Sequence, residues 1–210
     1  MLALMSLIKN HSKFNKLSSI HFMESPEEEI LLESHSGPLM ESYKKFLPPV
    51  PDMKIPGNHV DAIKDEITSS GNLLLIHNTF VRKDQIKKLK NRSGLYWCLC
   101  PNSNLYIEKK MPPIDLLTGE DCNIAIGTDG LPANRSLSII EELKTIQLYF
   151  PSFSLETLIG WATINGAKAL GEDICFGSIE PGKKPGLVLL QNADLVNLKL
   201  LPGTTVHRLI

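Results

Sequence analysis

The stretch LSSIHFMESPEEE, residues 17–29, contains a short strand-like segment, a polar tip and a helix start in direct succession. Its first four residues predict a strand, and His21 and Glu24 lie at the end of that strand. Pro26 and the acidic residues after it are typical of a helix start, because proline fits the first turn and carboxylates favour the positive helix end. This unit, a strand that carries reactive side chains into a helix, determines the fold that we predict.

Three further segments follow the same plan, with strand-like runs at 72–76, 95–99 and 123–126. The polar residues after these runs are His77, Asn78 and Thr79, then Cys100 to Asn104, then Gly127 to Gly130. The first and last runs are continuously apolar, which predicts strands buried on both faces of a parallel sheet. Alternating strands and helices predict an α/β fold with its active site at the carboxyl ends of the strands. No glycine-rich phosphate loop follows any strand, which favours a barrel over a nucleotide-binding sheet.

The composition excludes several classes of protein. With 210 residues, 42% hydrophobic and 21% charged, the chain is typical of a globular protein. The formal net charge of −1 gives no attraction for nucleic acid or an anionic membrane, so we expect neither as a partner. Cys98 and Cys100 are predicted to be buried free thiols, because no cysteine spacing indicates a zinc ribbon or a disulfide framework. The first residues lack the basic region and cleavage site of a secretory signal, so we predict a cytoplasmic location.

The pattern changes after about residue 150. Two short helices are predicted at 153–161 and 162–170, followed by a turn-rich segment and a strand at 187–190. The last residues, 204–210, alternate like a second strand. We therefore predict a main domain over residues 1–175 and a segment of a small β domain over 176–210.

The strand-end residues form the candidate site. A single histidine at a strand end is more often a hydrogen-bonded core residue than a ligand. Three strand ends that carry His21, His77 and Asp129 in this order are a stronger signal, because neutral imidazole and carboxylate suit zinc or a similar divalent metal.

At these residues the chain resembles the amidohydrolase superfamily, in its branch of cytosine-deaminase-like enzymes, chlorohydrolases and adenosine-type deaminases. The matching segments are Ser19 to Ser25, Leu75 to Asn78, Cys100 to Asn104, Gly127 to Asn134, Ala162 to Gly171 and Gly177 to Lys183. The resemblance implies a TIM-type (β/α) barrel with one catalytic metal, and a composite β-sandwich. By this resemblance, the chain would correspond to barrel strands five to eight plus a C-terminal fragment of that sandwich.

The resemblance also implies roles for single residues. His21 and Asp129 would bind the metal, Zn or alternatively Fe. Glu24 would shuttle a proton, His77 would orient the attacking water, and Asp129 would also take its proton. Three more residues match the pocket rim, where a turn role and a substrate contact are both open: Ser103, Asn104 and Asn134. Glu28 is assigned to the helix instead, so Glu28→Gln is expected to leave turnover in the intact enzyme almost unchanged.

One family motif is missing, since the sequence contains no His-x-His pair, which supplies two metal ligands in the family. The remaining histidines stand alone and are predicted at the surface: His11, His35, His59 and His207. We therefore expect the second half of a longer enzyme, in which residues 1–10 are the remnant of a helix before strand five. A missing N-terminal half, or another copy of the chain, would cover the sheet edges.

The function implied by the resemblance is hydrolysis of a non-peptide carbon–nitrogen bond. The expected reaction is deamination of a heterocyclic or amidine-type small molecule by a metal-activated water, with a carbon–chlorine bond less favoured. The alternative is a truncated, non-catalytic remnant of such an enzyme. With two inherited ligands, the metal would be weakly held or absent in this chain.

Overall fold

The computed structural model describes residues 17–46 and 71–210, together with Val60 and Ile63. Three predictions, on residues 1–10, His11 and His59, lie outside this part of the chain. The strands are β1 (Leu17–Phe22), β2 (Asn72–His77), β3 (Leu95–Leu99), β4 (Ile124–Ile126), β5 (Val188–Gln191) and β6 (Thr205–Arg208). The helices are α1 (Pro26–Ser34), α2 (Pro38–Phe46), α3 (Lys83–Leu89), α4 (Pro101–Ile107), α5 (Ile114–Gly119), α6 (Ile139–Tyr149), α7 (Leu155–Ala162) and α8 (Ile164–Leu170).

Strands β1 to β4 form one parallel sheet in the order β1-β2-β3-β4. Each strand is connected to the next by a segment that contains at least one helix, as the repeated unit in the sequence predicts. The α/β fold with a parallel sheet is thus confirmed. Because neighbouring strands run in the same direction, all four carboxyl ends lie along one edge of the sheet.

One face of the sheet carries the hydrophobic core. Leu73, Leu75, Trp97 and Ile124 are all buried there, together with apolar side chains from α3, α5, α6 and α7. Burying apolar side chains of this size contributes about 1.5–3 kcal/mol each. The core therefore fixes the sheet, and with it the position of every strand end.

The opposite face of the sheet is more open. Leu74 and Ile76 are only half-buried, and Ser19 and His21 on β1 are exposed. The prediction that the second strand is buried on both faces is therefore wrong. The physical reason is that the described helices leave this face partly uncovered.

The C-terminal region forms an antiparallel hairpin of β5 and β6. The segment between these strands packs against α6, where the Gln147 amide donates to the Leu200 carbonyl at 2.8 Å and accepts from its N–H at 2.9 Å. The two short helices α7 and α8 and the two strands are present as expected. The domain boundary at residues 175 and 176 stays a prediction. Within the described residues, no helix is long and apolar enough to span a bilayer.

Candidate active site

The carboxyl edge of the sheet brings together the residues that the sequence singles out. His21 lies near the end of β1, His77 ends β2, and Asp129 follows β4. One ligand atom of each residue lies within 4.8 Å of those of the other two. Glu24 joins them, because its Oε1 lies 3.5 Å from His77 Nε2. The expected shared site is confirmed as a geometric cluster, and the roles of its members remain predictions.

The backbone at the strand ends is unusual. Met23, His77, Asn78 and Asp129 have φ values of 50°, 75°, 59° and 60°, in the left-handed region that side-chain-bearing residues rarely adopt. Such conformations cost of order 1–3 kcal/mol each and concentrate at functional sites.

At His77 this backbone conformation redirects the side chain. Strand register pairs His77 with Phe22, whose ring is in the core. Rotation about the N–Cα bond to positive φ turns the imidazole away from that alternation. Its ring instead stacks on His21, with centroids 5.1 Å apart and planes inclined by 23°.

His77 is fully buried and uncharged at neutral pH. Burial, together with the neighbouring His21, lowers its pKa to about 4, although the charge of Asp129 opposes this effect. Its Nδ1 lies 3.1 Å from Asn104 Nδ2. Its Nε2 is buried and has no hydrogen-bond partner among the described residues. A buried polar atom without a partner is costly, which is typical of a position that a ligand completes.

Asp129 is held by the first turn of α4. Ser103 Oγ donates to Asp129 Oδ2 at 2.7 Å. Burial pushes the pKa of Asp129 upward, but the hydrogen bonds from Ser103 and the Gly130 backbone, with the nearby histidines, hold this pKa below its usual value. Asp129 is thus an ionised carboxylate beside two imidazoles.

Glu24 has the opposite electrostatic character. Burial raises its pKa, His21 opposes this effect, and the negative charge of Asp129 adds to it. Two carboxyl groups with pKa values shifted in opposite directions are typical of acid–base sites. The arrangement suits proton transfer by Glu24.

Glu28 makes more hydrogen bonds than its place at a helix start predicts. Its carboxylate accepts the backbone N–H groups of Met23 and Glu24, both at 2.9 Å, and of Ser25 at 3.3 Å. These bonds hold the turn that carries Glu24. The assignment of Glu28 to the helix start is confirmed, and its carboxylate in addition holds the turn before the helix. The spacing Ser25-x-x-Glu28, typical of a capping box, is the signal that identifies it.

The three predicted rim residues are buried rather than displayed at a pocket mouth. Ser103 and Asn104 contact Asp129 and His77, as described above. Asn134 Nδ2 donates to the Thr128 carbonyl at 2.6 Å and to Glu142 Oε1 at 2.7 Å. Ser103 and Asn104 lie in the first turn of α4, directly after β3, and Asn134 lies in the loop after β4. Whether any of the three contacts substrate stays a prediction.

Sequence reasoning missed Glu142. This buried carboxylate of α6 accepts from Asn134 and from the Asn102 backbone N–H at 2.8 Å, and burial raises its pKa. Glu142 thus connects two segments of the site by hydrogen bonds, the loop after β4 through Asn134 and the start of α4 through Asn102. Within a regular amphipathic helix, no sequence signal marks it.

The other predicted histidines and cysteines behave as expected where they are described. His35 and His207 are exposed, and Cys98 and Cys100 are buried free thiols. None of these four residues belongs to the cluster of His21, His77 and Asp129.

The cluster fits a metal ion in donor type and in spacing. Two imidazoles and a carboxylate are the ligands that zinc prefers among nitrogen and oxygen donors. Zinc ligands each lie about 2 Å from the ion, so two of them are at most about 4 Å apart. The separations of up to 4.8 Å require only small side-chain shifts.

Comparisons with known proteins identify the family of the chain. The sequence matches the amidohydrolase family over residues 3–204. A 5-methylthioadenosine/S-adenosylhomocysteine deaminase of Teredinibacter turnerae is 35% identical over 127 residues, which are 57% of this chain and 28% of that protein.

Two solved structures share the fold. Helicobacter pylori aminofutalosine deaminase has a TM-score of 0.79 and 26% identity, covering 99% of this chain and 55% of its own. An adenosine deaminase from Xanthomonas campestris with bound zinc has a TM-score of 0.69 and 23% identity, covering 90% and 40%. The chain thus spans 28% to 55% of the length of these three relatives. The chain belongs to the amidohydrolase family.

Proposed function

We propose that this chain forms the carboxyl-terminal half of a metal-dependent deaminase site, on strands that correspond to strands five to eight of a TIM-type barrel. The convergence of His21, His77 and Asp129 within 4.8 Å, with Glu24 beside them, carries this proposal. Residues 1–175 would belong to the barrel and 176–210 to a composite β-sandwich. The free thiols Cys98 and Cys100 are consistent with a reducing cytoplasm.

Zinc is the proposed metal, and His21 and Asp129 are the residues of this chain that would hold it. When bound, zinc polarises a water and lowers its pKa, so that a nucleophile forms near neutral pH. Two ligands are fewer than the three that catalytic zinc sites usually have. The remaining ligands would come from a His-x-His pair outside this chain.

The residues of the chain would then divide the proton transfers. Asp129, ionised and accepting from Ser103, would take a proton from the attacking water. Glu24, with its raised pKa, would give its proton to the ring nitrogen and later take up the proton of the hydroxyl on the ring carbon. Asp129 would pass the proton that it took from water to the departing amine. Overall, the oxygen of water bonds to the ring carbon, the carbon–nitrogen bond breaks, and ammonia leaves.

The proposed substrate is a small molecule with an adenine-type amino group. Two of the three relatives described above are named for adenosine or for adenosine derivatives. Hydrolysis at the amino-bearing ring carbon needs a group that donates a proton to the ring nitrogen. The carboxyl group of Glu24, with its raised pKa, could be that donor.

The proposed partner is the segment that completes the sheet, either an N-terminal barrel half or a second copy. Strands β1 and β4 are the edges of the described sheet. Leu74 and Ile76 are apolar and only half-buried on the open face, so covering these two side chains would be favourable. A remnant that never binds such a segment would be non-catalytic, which is the alternative function.

The test combines this chain with the N-terminal half of the Helicobacter pylori relative, which would supply the missing ligands. We expect the co-purified hybrid to hold zinc and to release ammonia from adenosine or 5-methylthioadenosine. The matched Asp129→Asn hybrid should release none. A folded, zinc-loaded hybrid without ammonia release from either nucleoside would contradict the proposed activity.

A further inference from the structure

Asn104, at the first turn of α4, is the direct neighbour of the His77 ring. It is buried, and its Nδ2 lies 3.1 Å from His77 Nδ1. An amide NH2 group can only donate hydrogen bonds. For this contact to be a hydrogen bond, His77 Nδ1 must therefore accept with its lone pair, and the single proton of the neutral ring must be on Nε2.

The other side of the ring leads to the same tautomer independently. His77 Nε2 lies 3.5 Å from Glu24 Oε1. A carboxylate offers only acceptors, so it attracts an Nε2–H group and repels an Nε2 lone pair. Asp129, a second carboxylate, belongs to the same cluster.

The opposite amide orientation would conflict with these neighbours. With Asn104 Oδ1 turned towards the ring, Nδ1 would have to carry the proton. The Nε2 lone pair would then face the Glu24 carboxylate. The donor on one side and the acceptor on the other thus select one arrangement of the amide and the ring.

We propose that Asn104 is a positioning residue that fixes His77 in the Nε2–H tautomer, so that His77 enters the site as a hydrogen-bond donor and not as a metal ligand. The catalytic meaning of this assignment rests on the proposed function. The neighbouring Ser103 holds Asp129 in the same way, so a single helical turn orients side chains from two different strands.

The test reads the His77 tautomer directly in the full chain, without metal or substrate. The chain is labelled with 15N-histidine, and long-range 1H–15N correlation spectra are recorded at pH 8. Protonated and unprotonated ring nitrogens have very different 15N shifts, and the His77→Gln variant assigns the signals. We expect wild-type His77 to show a protonated Nε2 and an unprotonated Nδ1.

Asn104→Asp is the decisive variant, because a carboxylate of similar shape can only accept. It should bring the proton to Nδ1. Asn104→Ala should give a mixture of both tautomers. Ser103→Ala is the matched control: it removes a buried hydrogen bond from the same helical turn but no contact with the ring, and should leave the proton of His77 on Nε2.

A protonated Nδ1 in the wild-type chain would overturn the proposal, and so would an Nδ1 that stays unprotonated in a folded Asn104→Asp variant. If that variant does not fold, the wild-type spectrum alone decides. Because the measurement needs no turnover, its failure is distinct from a failure of the proposed deaminase activity.

Discussion

The carboxyl edge of the parallel sheet and the C-terminal hairpin distribute their side chains in opposite ways. At the sheet edge, polar groups such as His77 and Asn104 are at most 1% exposed and lie among hydrogen-bonding neighbours. In the hairpin, apolar groups are exposed, with Val188 at 60% and Val206 at 43%. Buried polar networks require defined partners, whereas exposed apolar surface requires a cover.

This difference indicates which part of the site the chain builds by itself. The orientation of His77 and Asp129 depends on α4, which lies within the described residues. The hairpin and the open sheet face, by contrast, leave apolar side chains partly exposed. Substitutions at the sheet edge should therefore have large and specific effects, and equivalent substitutions in the hairpin should have small ones.

The largest expected effect is on turnover. In a complemented, zinc-loaded enzyme, Glu24→Gln should lower kcat by about 10²–10⁴-fold, because the amide cannot transfer the proton. Zinc content should not change. Glu27→Gln, one turn along in α1, is the matched control and should keep kcat near that of the wild type. Equal, small losses in both variants, measured in one ammonia-release assay, would assign Glu24 to the helix start.

The second prediction compares the stability of the two regions. Trp97→Ala in β3 should lower the free energy of unfolding by about 3–5 kcal/mol, because this fully buried ring fills the core. Val206→Ala in the hairpin should change it by less than about 1 kcal/mol, since the side chain is exposed. Urea unfolding measures both values. A similar loss in the two variants would show that the hairpin is as tightly packed as the sheet.

The third prediction concerns pH. Burial lowers the pKa of His77 to about 4 from an ordinary value of 6.5. Below pH 6.5 the unfolded chain takes up a proton that folded His77 does not, so folding loses stability as the pH falls. The free energy of unfolding should drop by about 3 kcal/mol between pH 6.5 and pH 4 because of this group.

Urea unfolding of the metal-free chain across this pH range checks the prediction. His77→Gln should flatten that part of the profile, and His207→Gln in the exposed hairpin should not. A wild-type profile unaffected by His77→Gln would contradict the buried, neutral state of His77.

The smallest predicted effect is on the turn before α1. Glu28→Gln should lower the free energy of unfolding by about 1 kcal/mol, because the side-chain amide has one acceptor oxygen for the N–H groups that the carboxylate now binds. Glu27→Gln should stay within about 0.5 kcal/mol of the wild type. Indistinguishable stabilities for the two variants would remove Glu28 as the anchor of the turn.

Much of this arrangement is readable from the sequence, for identifiable reasons. The apolar run at 72–76 and the helix start at Pro26 are local signals, and the structure has β2 and α1 at these places. The convergence of His21, His77 and Asp129 follows from parallel strands, whose ends meet at one edge.

The inward orientation of Asn104 and the burial of Glu142 were not predictable in the same way. Both depend on contacts between segments that are far apart in the chain, Asn104 with β2 and Glu142 with α4 and the loop after β4. The positive φ at His77 was not predictable either. Strand alternation alone would place the His77 ring on the same face of the sheet as Phe22.

Zinc binding decides whether His21 and Asp129 are the two metal ligands of this chain, as we propose. Competition against a chromophoric chelator gives the zinc affinity of the hybrid with the N-terminal half of the Helicobacter pylori relative, and of its His21→Ala, Asp129→Ala and His207→Ala variants. Even outer-shell partners of a metal cost 10–100-fold when they are removed, so each ligand variant should lose at least about tenfold in affinity. The His207 variant, altered only in the exposed hairpin, should bind as the wild type does. Unchanged affinity in the His21 and Asp129 variants would contradict the claim.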